Sequence, residues 1–311
     1  MTAAFRIGVD LGGTKIEAAA IDREGRVHCR RRVATPAGDY GGTVAAVATL
    51  VRGIESELGA RPTVGVGIPG TLIAGTGLVK NANSTWLNGR PLGRDLGAVL
   101  GRPVRLANDA NCFALSEASD GAAAGLGNVF GVILGTGVGG GVVIGGRIVT
   151  GANAIAGEWG HNPLPWPRAD ELPGPSCYCG RLGCIETFLS GPGLAADHRR
   201  HGGACLFGEQ IVAAVNNGEP ACRATLDRYT ERLARALAHV VNILDPDAIV
   251  LGGGLSGIAS LYDDVPRLWR DFVFSDTVFT KLLPPMHGDS SGVRGAAWLW
   301  RPDETAQGTL T

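Results

Sequence analysis

Two stretches of this chain set a glycine-rich turn between segments with strand character. Residues 5–10 read as a strand that runs into Leu11-Gly12-Gly13-Thr14-Lys15, and a second strand is expected over 16–22. Residues 129–134 run into Gly135-Thr136-Gly137-Val138-Gly139-Gly140-Gly141, with strand character resuming over 142–149. A strand, a glycine turn and a returning strand form a hairpin whose tip presents backbone N–H groups. Such a tip suits phosphate oxygens, which Thr14 and Lys15 can also meet, and Asp10 at the strand end is placed to reach a metal ion. An ordinary hairpin turn with solvated polar residues accounts for the first motif equally well. The second loop also satisfies G-x-G-x-x-G. That dinucleotide fingerprint needs a helix after the glycines, and the residues that follow here read as β. Two phosphate hairpins imply an internally duplicated ββ unit.

A third constraint is the stretch 157–186. Glu158 and His161 open it, and Cys177, Cys179, Cys184 and Glu186 close it. Three cysteines and one histidine match the ligand set of a four-coordinate zinc site; buried free thiols or a redox site are the alternatives. Residues 162–176 hold five prolines and read as an extended surface loop that zinc would fix at both ends. Glu158 and Glu186 then stand at the wall of a polar pocket.

The 311 residues favour two domains or one large one. A net charge of -1 gives no basic excess, so no nucleic-acid partner is expected. The seven cysteines are odd in number and mostly scattered, which suits a reducing cytoplasm. No leader is expected before the first strand. Residues 126–146 lack charge but are broken by glycine, so no membrane span is expected there.

Elsewhere, Val44, Val47, Leu50, Val51, Ile54 and Leu58 recur at helical spacing. Asn81, Asn83 and Asn88 share a loop; Asn83 is the candidate for ligand hydroxyls, against a plain turn role. A strand over 104–107 leads into Asn108-Asp109-Ala110-Asn111 and a helix over 112–118. Asp109 thus stands at a strand-to-helix junction, where α/β folds place ligands, with helix capping as the competing role. Helices are also expected over 188–201, 221–244, 258–272 and 293–300, with the basic run His198 to His201 as a solvated face. A strand over 248–251 ends at Gly252-Gly253-Gly254, where glycine lets a flat ring such as adenine lie on the backbone. The tail after Pro302 reads as disordered.

Asp10-Leu-Gly-Gly-Thr-Lys15 resembles the first phosphate loop of hexokinase–actin ATPases. Taken with Asn108-Asp-Ala-Asn111, Gly135 to Gly141, Glu158-Trp-Gly-His161, the Cys177–Glu186 cluster and Gly252 to Gly254, it resembles the ROK family of repressors, open reading frames and sugar kinases. Within that family the chain looks most like bacterial fructokinases of the manno(fructo)kinase type, through residues 80–89, 158–166 and 287–300. It is also similar to N-acetylglucosamine kinases, through 108–117 and 184–190.

The resemblance implies an α/β, two-lobed actin-like (ribonuclease H-like) fold. The small lobe would be 1–117 with a C-terminal helix at about 292–301, and the large lobe 118–291 would carry the zinc loop. It implies ATP with Mg²⁺, structural Zn²⁺ on His161, Cys177, Cys179 and Cys184, and a homodimer. Asp109 would be the catalytic base. Asn83, Asn108, Asp109, Glu158, His161 and Glu186 would bind sugar. Asp10, Gly12, Gly13, Thr14, Lys15, Gly135, Thr136, Gly137, Gly139, Gly140, Gly253 and Gly254 would hold the nucleotide and its cation. The expected reaction is transfer to the primary hydroxyl of fructose, with mannose possible; N-acetylglucosamine, glucose or N-acetylmannosamine is the alternative. A family regulator would carry a helix-turn-helix before the first phosphate loop, and none is expected here. A sugar-binding module without catalysis would not need Asp109 and both phosphate loops.

Overall fold

The computed structural model describes residues 5–301 and residue 304. The tail expected to be disordered lies, Glu304 apart, outside the described residues. In chain order the elements are β1 (Arg6–Leu11), β2 (Lys15–Ile21), β3 (Val27–Ala34), α1 (Tyr40–Leu58), β4 (Thr63–Ile68), β5 (Thr71–Leu72), β6 (Val79–Lys80), α2 (Leu92–Leu100), β7 (Val104–Asn108) and α3 (Asp109–Ser119). There follow β8 (Asn128–Leu134), β9 (Val138–Ile144), β10 (Arg147–Ile148), α4 (Ile185–Leu189), α5 (Gly191–Arg200), α6 (Gly208–Asn216) and α7 (Pro220–Leu244). The last are β11 (Ala248–Gly252), α8 (Leu261–Leu268), β12 (Lys281–Leu283) and α9 (Ser291–Trp298). Contacts divide the chain into two compact units. The first holds residues up to Gly125, then 141–156 and those from Asp289; the second holds 126–140 and 157–288. Among the described residues no helix is long and apolar enough to cross a membrane.

In the first unit the strand order is β3-β2-β1-β4-β7. The β1–β2 and β2–β3 pairs are antiparallel, and β1–β4 and β4–β7 are parallel. Ile7, Val9 and Leu11 of β1 and Val64, Val66 and Ile68 of β4 are all buried. Such continuous apolar runs mark strands covered on both faces. The spacing read over α1 buries Val44, Val47, Val51 and Ile54, and Asp39 caps the helix by accepting from the Gly42 N–H.

Helix α9 packs against β1, β4 and α3. The approach is close enough that a Cβ on Gly295 would overlap the Cys112 carbonyl oxygen, so only glycine fits there. Arg294 pairs with Asp120, and Ser291 donates to Glu117 at 2.9 Å, which fastens the helix.

In the second unit β9-β8-β11-β12 is the order, with β8–β11 and β11–β12 parallel. The end of β9 that belongs to the first unit pairs antiparallel with β10. The full order β10-β9-β8-β11-β12 repeats β3-β2-β1-β4-β7, so the duplicated hairpin unit extends to two whole α/β sheets. Helix α7 packs against α5, α6 and α8.

Three local expectations change. The glycine turn is confined to 135–137, and Gly139, Gly140 and Gly141 lie in β9, which removes the helix a dinucleotide fingerprint needs. The helix expected over 188–201 is two: Ser190 ends α4 and caps α5 through the Gly193 N–H, with proline in the first turn of α5. His198 is buried rather than solvated, with Nδ1 2.9 Å from Thr225 Oγ1.

Gly295→Ala should lower stability by about 1–3 kcal/mol or more, because backbone must move to admit the methyl group. Urea unfolding of the pure variant reads this directly; a wild-type midpoint would refute the close-packing account.

Candidate active site

In the first unit, parallel pairing brings the ends of β1 and β7 to either side of β4: Asp10 stands opposite Gly67, and Asn108 opposite Ile68. Asp10 is the penultimate residue of β1 and Asp109 opens α3. The capping role belongs to Asn108, whose Oδ1 accepts from Ala110 N at 2.9 Å while its Nδ2 donates to Gly70 O at 3.0 Å. Asp109 is thereby released from capping and is exposed, with Oδ1 2.8 Å from Ala110 N. Burial, then the charges of Asp109 and Glu17, push the Asp10 carboxyl up to about 6. Burial beside like charge favours a proton or a cation at Asp10.

The hairpin tip beside Asp10 is braced by Thr35, whose hydroxyl donates to Gly12 O at 2.7 Å and whose N–H donates to Thr14 O at 3.0 Å. Gly13, Thr14 and Lys15 are exposed. In the asparagine loop, Asn88 holds both backbone groups of Ala82 at 2.9 and 3.0 Å. It is a turn residue, and it leaves Asn83 exposed.

In the second unit, Glu186 in the first turn of α4 accepts from Val138 N at 2.9 Å and so ties α4 to the β8–β9 hairpin. The Trp159 indole N–H donates to Gly139 O at 2.9 Å, and Glu158, next to it, is exposed. A cavity of about 820 Å³ opens beside this hairpin, lined by Gly135, Thr136, Gly191, Arg199, Phe207 and Gly254 among others. Gly253 makes room for it: at φ +81 it turns the end of β11 against Leu134, where a side chain has neither the conformation nor the space. Gly135, Thr136 and Gly254, expected in ligand loops from the sequence, line this cavity. The α5–α6 wall with Arg199 and Phe207 carried no motif.

The His161, Cys177, Cys179 and Cys184 ligand atoms all lie within 4.8 Å of one another. Cys177 N donates to Arg181 O at 2.9 Å, which closes the turn that carries two of the thiols. His161 Nδ1 is 3.6 Å from Cys177 Sγ, and its Nε2 is 2.9 Å from the Tyr178 hydroxyl. Tyr178 was not singled out in the sequence. Burial, then Cys179 and Cys177, push the Cys184 thiol up to about 12. The donor set and its spacing fit a tetrahedral zinc ion, which is what would let such crowded thiols ionise.

The ROK family profile matches residues 6–303. The chain belongs to the ROK family. It is 40% identical over 296 residues to the N-acetyl-D-glucosamine kinase of Vibrio cholerae serotype O1, covering 94% of this chain and 98% of that protein. Identity to the N-acetyl-D-glucosamine kinase of Yersinia enterocolitica is 39%, with the same coverage. Among solved structures, the ROK hexokinase of Thermus thermophilus superposes with a TM-score of 0.84 at 32% identity, over 94% of this chain and 97% of that one. The Streptomyces griseus ROK glucokinase, solved with glucose and AMPPNP, gives 0.75 at 29% identity, over 96% and 99%. The two repeated sheets are thus a ROK hexokinase-like fold.

In this ROK chain the proline-rich segment is anchored by charge. Glu171 is buried, and its Oε1 accepts from Arg232 Nε and Arg235 Nη2, both at 2.7 Å. Arg232 Nη1 also donates to Asp197 at 2.8 Å. The one sequence signal for this cluster is two arginines three residues apart inside the apolar face of α7. Burial pushes the Glu171 carboxyl up, but hydrogen bonds from Arg235, Arg232 and the Arg168 N–H outweigh it and hold it at about 2. Its pKa is therefore lower folded than unfolded. The stability it adds, roughly 3 kcal/mol, is full above its ordinary value and is lost as pH falls from about 4.5 to about 2. Unfolding free energy followed across that window should fall more steeply in the wild type than in Glu171→Gln; equal slopes would contradict the anchoring role.

Proposed function

We propose that the protein is an N-acetyl-D-glucosamine kinase, transferring the γ-phosphoryl group of ATP to the primary hydroxyl of the sugar. The coarser statement, an ATP-dependent sugar kinase of the ROK family, rests on the relatives and on the fold. For the sugar itself the carrying observation is the 40% identity to N-acetyl-D-glucosamine kinases over 94% of the chain. Fructose led the sequence reading; these relatives support its alternative better.

Phosphoryl transfer requires positioning and charge neutralisation more than covalent chemistry. Asp109, exposed at the start of α3, would take the proton of the attacking hydroxyl. Asp10 would hold the nucleotide's Mg²⁺, which supplies neutralisation of the phosphate charge. The glycine tips at 12–14 and 135–137 would direct N–H groups at phosphate oxygens, and the 820 Å³ cavity would take the base and ribose. Asn83 and Glu158 are exposed and offer hydrogen bonds to ring hydroxyls. Asn108 serves mainly to aim Asp109, since both ends of its amide are engaged. Glu186 would contribute the carboxylate oxygen that Val138 leaves free. His161 would bind zinc through Nδ1, and a sugar hydroxyl would join or replace Tyr178 at Nε2. With four protein ligands, zinc would be structural and would hold His161 and Glu186 in register.

Asp109→Asn should lower kcat by about 10²–10⁴-fold with little change in the sugar KM; wild-type turnover would remove Asp109 from the base role. A coupled assay over a hexose panel should give the highest kcat/KM with N-acetylglucosamine, and a preference for fructose would overturn the substrate assignment. Cys179→Ser should release zinc, measured by elemental analysis, and lower thermal stability together with activity. A native protein without zinc would end the clamp reading.

A further inference from the structure

Away from the catalytic carboxylates, the first unit holds a cavity of about 320 Å³, a size typical of small-molecule sites. Its walls include Arg105 on β7, Arg147 on β10, Trp298 on α9, and Arg301 and Glu304 beyond α9. Three arginines and one glutamate thus line the same cavity. Arg105 donates to both oxygens of Glu304, at 2.6 and 3.0 Å, and the Arg301 N–H donates to the same carboxylate at 2.8 Å. Arg105 also lies 3.9 Å over the Trp300 ring, which keeps its guanidinium plane in place. The Trp298 indole N–H is buried without a partner, and Arg147 makes no ion pair or hydrogen bond among the described residues.

A planar oxyanion thus already sits in an arginine fork, supplied by the chain itself, with two further cations and an unused N–H donor nearby. Bidentate guanidinium pairing of this kind serves carboxylate and phosphate alike. We propose that this cavity binds a phosphate group, and that Glu304 is a built-in competitor which the phosphate displaces from Arg105. Hydrogen bonds from Arg105 first, and then the Arg301 N–H, hold the Glu304 carboxyl below its ordinary range, so it competes as an anion. A dianion satisfies three guanidinium groups better than one carboxylate does. Arg105 stands on β7, three residues before the Asn108 cap, so occupancy of the cavity bears on the strand that presents Asp109. A neighbouring cavity of about 260 Å³ shares Arg105 and reaches Asn111 of α3, whose buried Oδ1 is also unpartnered.

The test is calorimetric titration of the full chain with the nucleotide and sugar positions saturated by a non-hydrolysable ATP analogue and N-acetylglucosamine. Inorganic phosphate and N-acetylglucosamine 6-phosphate are titrated separately. Saturable binding should be about tenfold tighter in Glu304→Gln and about tenfold weaker in Arg147→Ala, the scale of one charge-assisted hydrogen bond. Tighter binding of the sugar phosphate identifies the reaction product as the occupant; equal binding identifies phosphate alone. Both substitutions lie outside the candidate active site, so their effect on inorganic phosphate binding reports on this cavity even if another sugar is the substrate. No saturable binding, or binding indifferent to both substitutions, overturns the proposal.

Discussion

Two carboxylates, Asp10 on β1 and Asp109 directly after β7, impose the central constraint. Parallel pairing of β1, β4 and β7 carries Asp10 and Asp109 to the same end of one sheet, and burial leaves Asp10 reluctant to ionise. Burial of Asp10 beside further negative charge disfavours its ionised form, so the arrangement costs free energy. In the proposed mechanism this is where a cation, at Asp10, and a proton, at Asp109, would be handled. The rest of the first unit holds the pair in place: Asn108 takes over the cap, Thr35 braces the hairpin, and α9 packs against β1, β4 and α3.

The second unit repeats the sheet but does different work with it. Its hairpin tip opens onto a cavity, and its long insertion between β10 and α4 carries the thiols and imidazole. That insertion is held from two directions. One is the tight Cys177–Arg181 turn with its ligand set. The other is the buried Glu171, paired with two arginines of α7 more than sixty residues later. Removing one member of such a cluster leaves its neighbours charged and desolvated, so the cluster is costly to break even where an apolar replacement of the whole would be tolerated.

Much of this was legible from the residues. Hairpins announce themselves through strand–glycine–strand order, the Asp109 junction through the change from alternating to helical spacing, and the ligand set through three cysteines beside a histidine. Helix α7 was read to within a residue or so because its apolar spacing is long and its end is marked by Asp245-Pro246. Other features depend on contacts distant in sequence. Glycines 139–141 look like loop residues but lie in β9, and at 140 and 141 Trp159 and α3 leave no space for side chains. Ser190 breaks one helix into two by capping, a choice that periodicity alone does not reveal. Arg105, Arg147, Arg301 and Glu304 are scattered charges until β7, β10 and the end of α9 converge on one cavity.

In the proposed mechanism Asp10 would hold the nucleotide's cation while Asp109 takes the proton. Mn²⁺ in place of Mg²⁺, followed by electron paramagnetic resonance with a non-hydrolysable ATP analogue and N-acetylglucosamine present, tests that most directly. Asp10→Asn should weaken Mn²⁺ binding by about tenfold or more, as expected when one charged ligand is lost. An Mn²⁺ affinity equal to that of the wild type would contradict the account.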